Sequence, residues 1–341
     1  MAIRDVKKTE ELLEGLKGEN VSVENIDNFL QQQGVLVDVH VGRLRNKVDI
    51  SPNMFGVDTE KSEELSTFFN DYVKTGKMCF IPMKYEKKFQ SIETSLRIKK
   101  KEMALGYENK YMPIETYKEY KKYVDKKREE YLYVRDEIMT LWNALMDTFR
   151  YTVDSSLTEM NALNASALKK EIFSKIPSKE TYGNSFYVET SLKAFPVMNN
   201  LDLFDETIED EIRESIQRDS INSVYEILSN ILSDAFESVN RVLAYYNKNG
   251  TLTDKQLKVL KDLTPRIASK NILKNGLVNE IVHDLKEVNG LDDYDDMAEM
   301  CESVLARIYG FATEIEVDMY LDLSKSELST EELSSIYRAL S

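Results

Sequence analysis

Histidines, cysteines and clustered carboxylates supply most catalytic and metal sites, and this chain of 341 residues is sparing with the first two. His40 and His283 are the only histidines, so no HExxH, no HxH and no three-histidine metal set can exist. Cys79 and Cys301 are the only cysteines. Neither sits in a CxxC, and a thiol nucleophile on either would need one of those two histidines. KTGKMC, around Gly76 and Lys77, has the outline of a phosphate loop, yet it lacks the earlier glycine, and Met78 stands where Ser or Thr would ligate magnesium. Asp292, Asp293, Asp295 and Asp296 lack the glycine and terminal glutamate of a calcium loop, and they suit the start of a helix instead. No catalytic, cofactor or metal residue is assigned, and the chain is read as a non-enzyme without a cofactor.

The remaining polar pattern is cationic. Arg43, Arg45 and Lys47 alternate, so a continuing strand would put all three on one face, either for this protein's own acidic helices or for an anionic partner. Lys99, Lys100, Lys101, Lys118, Lys121, Lys122, Lys126, Lys127 and Arg128 are interspersed with Tyr107, Tyr111, Tyr117, Tyr120 and Tyr123. Phosphate contact with base stacking is therefore physically open. The acids Glu102, Glu115, Glu119, Asp125, Glu129 and Glu130 are interleaved, as on helix faces that serve solubility and i,i+4 pairing. The candidate partner-contacting residues are Arg43, Arg45, Lys47, Lys100, Tyr107, Tyr111, Lys118 and Lys122. Charge is also segregated: Lys84 to Arg135 holds 15 Lys/Arg against 9 Asp/Glu, and Leu201 to Asn240 holds 2 Arg against 11 acids.

Helices must position these side chains. Between Pro113 and Pro177 there is no glycine or internal proline, and Tyr117, Tyr120, Val124, Tyr131, Val134, Ile138, Leu141 and Leu145 recur in steps of three, four and one of seven. A helix is expected from about Ile114 through at least Arg150; the cap- and turn-favouring residues at 154–166 leave open whether it continues or breaks there. Tyr85, Phe89, Ile92, Leu96 and Met103 form a matching stripe over Lys84 to Leu105, so the pair predicts an antiparallel coiled-coil hairpin that projects, with a polar connection at its tip. Strands are expected over Val35 to Val41, Met78 to Met83 and Phe186 to Val197, and further helices over Asp5 to Leu16, from a Ser22 cap, and over Thr59 to Tyr72. The C-terminal part predicts helices over Asp205 to Arg218, from a Ser220 cap to Tyr246, from Thr253 with an interruption at Pro265, over Ile281 to Val288, Met297 to Tyr309 and Glu331 to Leu340. The last has Ser329 and Glu332 spaced as a capping box.

The fold class expected is mainly α (α+β), a helical bundle body with a small two- or three-stranded sheet and a long protruding hairpin. The segments divide as N-terminal helices (1–34), a small sheet with one helix (35–83 and 184–198), the hairpin (84–177), a helical bundle (199–310) and a tail with a terminal helix (311–341). The charged start MAIRDVKKTEELLEG is no signal peptide, no apolar run approaches the ~18 residues of a membrane span, and two cysteines suit a reducing cytoplasm. The long stripe leaves a second copy of the chain open as a partner.

Taken in order, VDVHVGRLRNKVDI (37–50), KMCFIPM (77–83), the charged hairpin, SLKAFPVM (191–198) and a helical C-terminal region resemble an uncharacterised family of bacterial, phage and mobile-element proteins. That domain of unknown function is often encoded near MoxR-type AAA+ ATPases. His40 and Val41 stand where the family has an aromatic and a small residue before Gly-Arg. The resemblance implies a non-enzymatic partner or substrate adaptor of a ring ATPase; nucleic-acid association through the basic hairpin is the alternative.

Overall fold

The structure is a computed structural model that describes residues 6–49, 77–106, 110–159, 165–198 and 206–340. The helix expected over Thr59 to Tyr72, and Tyr107, lie outside the described residues. The chain is mainly helical with a small antiparallel sheet. In order, it forms α1 (Val6–Leu12), α2 (Ile26–Gln33), β1 (Gly34–Gly42), β2 (Lys47–Asp49), β3 (Lys77–Cys79), α3 (Met83–Met103), β4 (Tyr111–Pro113) and α4 (Ile114–Glu159). It continues with α5 (Ala165–Ser174), α6 (Lys179–Gly183), β5 (Tyr187–Lys193), α7 (Glu206–Asn249), α8 (Asp254–Lys270), α9 (Gly276–Val288), α10 (Tyr294–Glu314) and α11 (Thr330–Leu340). Two compact units result. The first comprises Met1–Val37, Lys100–Lys118 and Leu192–Ser341; the second comprises Asp38–Lys99 and Glu119–Ser191.

The first unit is organised by α7. Val224, Ile227, Leu228, Ile231, Leu232, Ala235, Phe236, Val239, Val242 and Leu243 are all buried on it. The break expected at Ser220 does not occur. No glycine or proline lies between 206 and 249, and the apolar stripe runs back through Ile221 and Ile216, so continuous burial outweighs the preference of one serine for a cap. Ser220 ends up in the helix interior, buried, with no hydrogen-bond partner for its hydroxyl among the described residues. Pro265 likewise fails to interrupt α8. Its ring removes one helical N–H, but Leu260, Leu263 and Ile267 around it are fixed in the core and hold the helix together.

Helix α11 begins as its sequence predicts. The Ser329 N–H donates to Glu332 (2.8 Å), and the Glu332 N–H donates back to the Ser329 hydroxyl (3.2 Å). Ser329→Ala is expected to cost about 1 kcal/mol, and hydrogen exchange over residues 330–340 should rise selectively. Uniform protection in the variant would show that tertiary packing alone holds this helix.

In the second unit α3 and α4 run antiparallel. Tyr120 donates to the Leu96 carbonyl (3.3 Å), the Phe89 and Tyr131 rings stand 5.0 Å apart edge to face, and Tyr85 donates to Glu137 (3.0 Å). The helix that begins at Ile114 extends to Glu159, roughly 69 Å at 1.5 Å per residue.

The connection between the arms differs from the expected polar tip. Ala104, Leu105, Tyr111 and Met112 are buried in the first unit, and Asn230 of α7 donates to the Leu105 carbonyl (3.2 Å). A Cβ on Gly106 would stand 2.8 Å from the Glu226 Cβ, so the approach to α7 depends on that glycine. The connection also supplies β4, which pairs antiparallel with β1 (Gly34↔Pro113, Leu36↔Tyr111) in a sheet of order β4-β1-β5. The strand at Lys77–Cys79, expected in that sheet, pairs with β2 instead (Lys47↔Cys79).

Candidate functional site

Strand β1 ends at Gly42, across which the Tyr187 ring lies, 2.3 Å from where a Cβ would stand. Residues 43–46 are irregular, so the expected continuing strand is absent, yet Arg43 and Arg45 both approach Glu86 and Glu93. Arg43 turns inward. Its guanidinium forms a bidentate pair with Glu86 (3.0 and 3.1 Å), donates to Glu93 through Nε (3.0 Å) and lies 4.8 Å over the Phe89 ring. The Arg43 and Glu86 side chains are each 1% exposed. Arg45, 59% exposed, approaches the same carboxylates at 3.7 and 3.8 Å.

The buried charges are fully dressed. Gln90 and the buried Asn46 donate to Glu86, Tyr131 donates to Glu93, and Asn46 accepts from the Tyr182 hydroxyl. Around them Tyr131, Tyr182 and Phe186 pack with Phe89, Phe80 and Trp142 in edge-to-face and tilted pairs. Burial opposes ionisation of Glu86, but Arg43, with Lys47 and Arg45 behind it, outweighs burial and holds the carboxyl below its ordinary range. Burial also pushes the Tyr131 and Tyr182 phenols above theirs.

This cluster sorts the charge of α3. Between residues 83 and 99 the only acids are Glu86 and Glu93, and both face Arg43. The cations Lys84, Lys87, Lys88, Arg97 and Lys99 share residues 83–99 with no further acid, and the next one, Glu102, is exposed near the end of the helix. On the flank away from Arg43, α3 and α4 enclose a shallow groove. Lys84, Lys87, Lys88 and Ser91 form one wall, Glu129, Glu130 and Tyr133 the other, and Ile92 and Val134 lie between. Tyr133 is 71% exposed. Lys88 pairs with Glu137 (3.1 Å) and Glu130 with Lys127 (2.6 Å), whereas Lys87 makes no ion pair among the described residues. The groove is apolar at its floor and oppositely charged at its two walls.

The other candidates do not converge. Lys47 lies in β2 near the cluster, and Lys122 is exposed on α4. Lys100, Tyr111 and Lys118 belong to the first unit, where Lys118 pairs with Glu115 and Tyr111 is buried, donating to the Leu30 carbonyl (2.9 Å). Arg43 and Tyr111 are thus interior residues. Burial pushes the Cys301 thiol up to about 12, Cys79 is half-exposed beside the Met83 sulfur, His283 sits beside Glu287 on an exposed helix face, and His40 contacts Ser191. Asp293 caps α10, accepting from the N–H groups of Asp295 and Asp296. Among the described residues no three His, Cys, Asp or Glu stand together as a metal site, and no helix is long and apolar enough to cross a membrane.

Glu86 and Glu93 were missed as partners of Arg43. Their signal is a seven-residue spacing on one flank of the Tyr85-Phe89-Ile92-Leu96 stripe in a helix with no other acid until Glu102. Family models, characterised proteins and solved structures give no match to this chain.

Proposed function

We propose that the protein is a non-enzymatic interaction protein that engages a protein partner through the second unit, acting in a bacterial cytoplasm as an adaptor of phage or mobile-element type. The observation that carries this reading is the charge sorting of α3. A buried arginine consumes both acids of residues 83–99 and leaves a cationic helix face beside an apolar floor and an acidic wall. Rigid helices with exposed charge and a solvent-facing tyrosine are recognition elements, since aromatic anchors and complementary charges set affinity and specificity at interfaces. The resemblance in element order makes a MoxR-type AAA+ ATPase the partner class to look for.

The test is affinity purification of the tagged protein from its native host alongside a K84E/K87E/K88E variant of unchanged circular dichroism. A specific protein retained by the wild type and lost from the variant is the expected result. An identical set from both would remove this surface from the reading.

A second reading has its own support in the cation series from Lys84 to Lys99, which could follow a nucleic-acid backbone. It requires affinity for a single-stranded oligonucleotide to fall by roughly a decade or more over a few-fold rise in salt. A flat response would end it.

A further inference from the structure

Resting on that reading, we propose that the groove on the outer flank of α3 and α4 takes an amphipathic helix of the partner, with an apolar stripe edged by carboxylates on one side and cations on the other. The groove selects this occupant by charge. Lys84, Lys87 and Lys88 stand on one wall and Glu129 and Glu130 on the other, above Ile92 and Val134. A polyanion would gain from the lysine wall and be repelled by the glutamate wall, so a phosphate backbone fits half of the surface. A helix with unlike edges satisfies both walls, as the flanking charges of coiled coils do. Tyr133, largely exposed at the rim, supplies the aromatic contact that such a helix would cover.

The opposed walls also fix direction. Turning a helix end for end exchanges its left and right edges, so a helix with one acidic and one basic edge docks only one way round. The lining residues span nine positions on α3, Lys84 to Ile92, about two and a half turns, so the contact is local and needs a preformed or readily formed helix.

The experiment uses the full chain and three labelled synthetic peptides of about 21 residues with the same leucine stripe: one with a glutamate edge and a lysine edge, one with glutamate on both edges, one with lysine on both. Affinities are read by fluorescence anisotropy at low salt. The mixed-edge peptide is expected to bind tightest. Its affinity should fall about tenfold or more in K84E/K87E/K88E and again in E129K/E130K, and return when all five changes are combined, since the walls are then exchanged and the peptide docks in the opposite direction.

Tighter binding of the all-glutamate peptide, or of a single-stranded oligonucleotide, would overturn the proposal in favour of a polyanion surface. So would failure of every peptide at about 1 mM. A drop of several degrees in the melting temperature of either wall variant alone would show that the walls hold this chain to itself, and would equally overturn it. If the peptides fail while the native-host partner is still lost in K84E/K87E/K88E, the interaction reading stands and the helical occupant falls.

Discussion

Arg43→Met should lower the stability of the second unit by about 3–5 kcal/mol, because it strands Glu86 and Glu93 in the interior with their main counter-charge gone. A urea titration at neutral pH reads this directly. The pH dependence makes the test sharper. In the wild type the Glu86 carboxyl lies below its ordinary value of 4.5 in the folded state, so its contribution is present above about pH 4.5 and is lost as pH falls through the lower folded value. In the variant the leading influence is burial, which raises the folded value above the unfolded one. The sign then inverts, and the variant should gain stability relative to wild type as the pH is lowered. Replacing the whole cluster, as in R43M/E86L/E93M, should recover most of the loss, since an apolar set of similar volume leaves no buried charge unpaired. A single variant within about 1 kcal/mol of wild type and with an unchanged pH profile would mean that the cluster carries no such load.

Tyr111→Ala should cost a further large amount, about 3–5 kcal/mol, in the first unit. The ring is fully buried, stands edge to face with Phe195 at 6.0 Å and anchors the strand that pairs with β1. Tyr111→Phe should cost only about 1 kcal/mol, because the Leu30 carbonyl that loses the phenol also accepts from the Gly34 N–H. Lys118→Ala and Lys122→Ala, on exposed helix positions, should stay within about 0.5 kcal/mol. A core tyrosine and a partner-contacting one differ in this ordering: if Tyr111→Ala melts like wild type and only loses a partner, the burial described for it is wrong.

Local periodicity carried much of this fold. The stripes at Tyr85-Phe89-Ile92-Leu96 and Tyr120-Val124-Tyr131-Val134 placed α3 and α4, the valines of 35–41 placed β1, and Ser329 with Glu332 placed the start of α11. What local pattern could not supply was the outcome of competition with distant burial. Ser220 and Pro265 both carry strong local preferences, and in both places the core around α7 and α8 overrides them. The connection after α3 reads as polar because Asn109 and Lys110 lie in it; its burial is decided by Leu105, Tyr111 and Met112 meeting Asn230, Leu30 and Val35, all distant in sequence. The candidate surface was legible as a basic helix and no further. Whether Glu86 and Glu93 interrupt that surface or vanish beneath it depends on one arginine about 40 to 50 residues earlier.

The two units are interleaved along the chain in a way that orders their appearance during synthesis. All of the second unit lies between Asp38 and Ser191, while the first needs both ends of the sequence: Lys8 pairs with Glu316 (2.7 Å), and Asn275 donates to the Leu12 carbonyl (3.3 Å). At about 5–20 residues per second, roughly 15–60 s separate the emergence of Leu12, Leu13 and Leu16 from that of the α10 residues in the same core. Assembly must therefore run from the middle of the sequence outwards, with the first-made leucines waiting longest for their neighbours. A nascent chain arrested near residue 200 would carry a second unit with all of its residues and, ahead of it, an apolar N-terminal segment with no α7 to cover it.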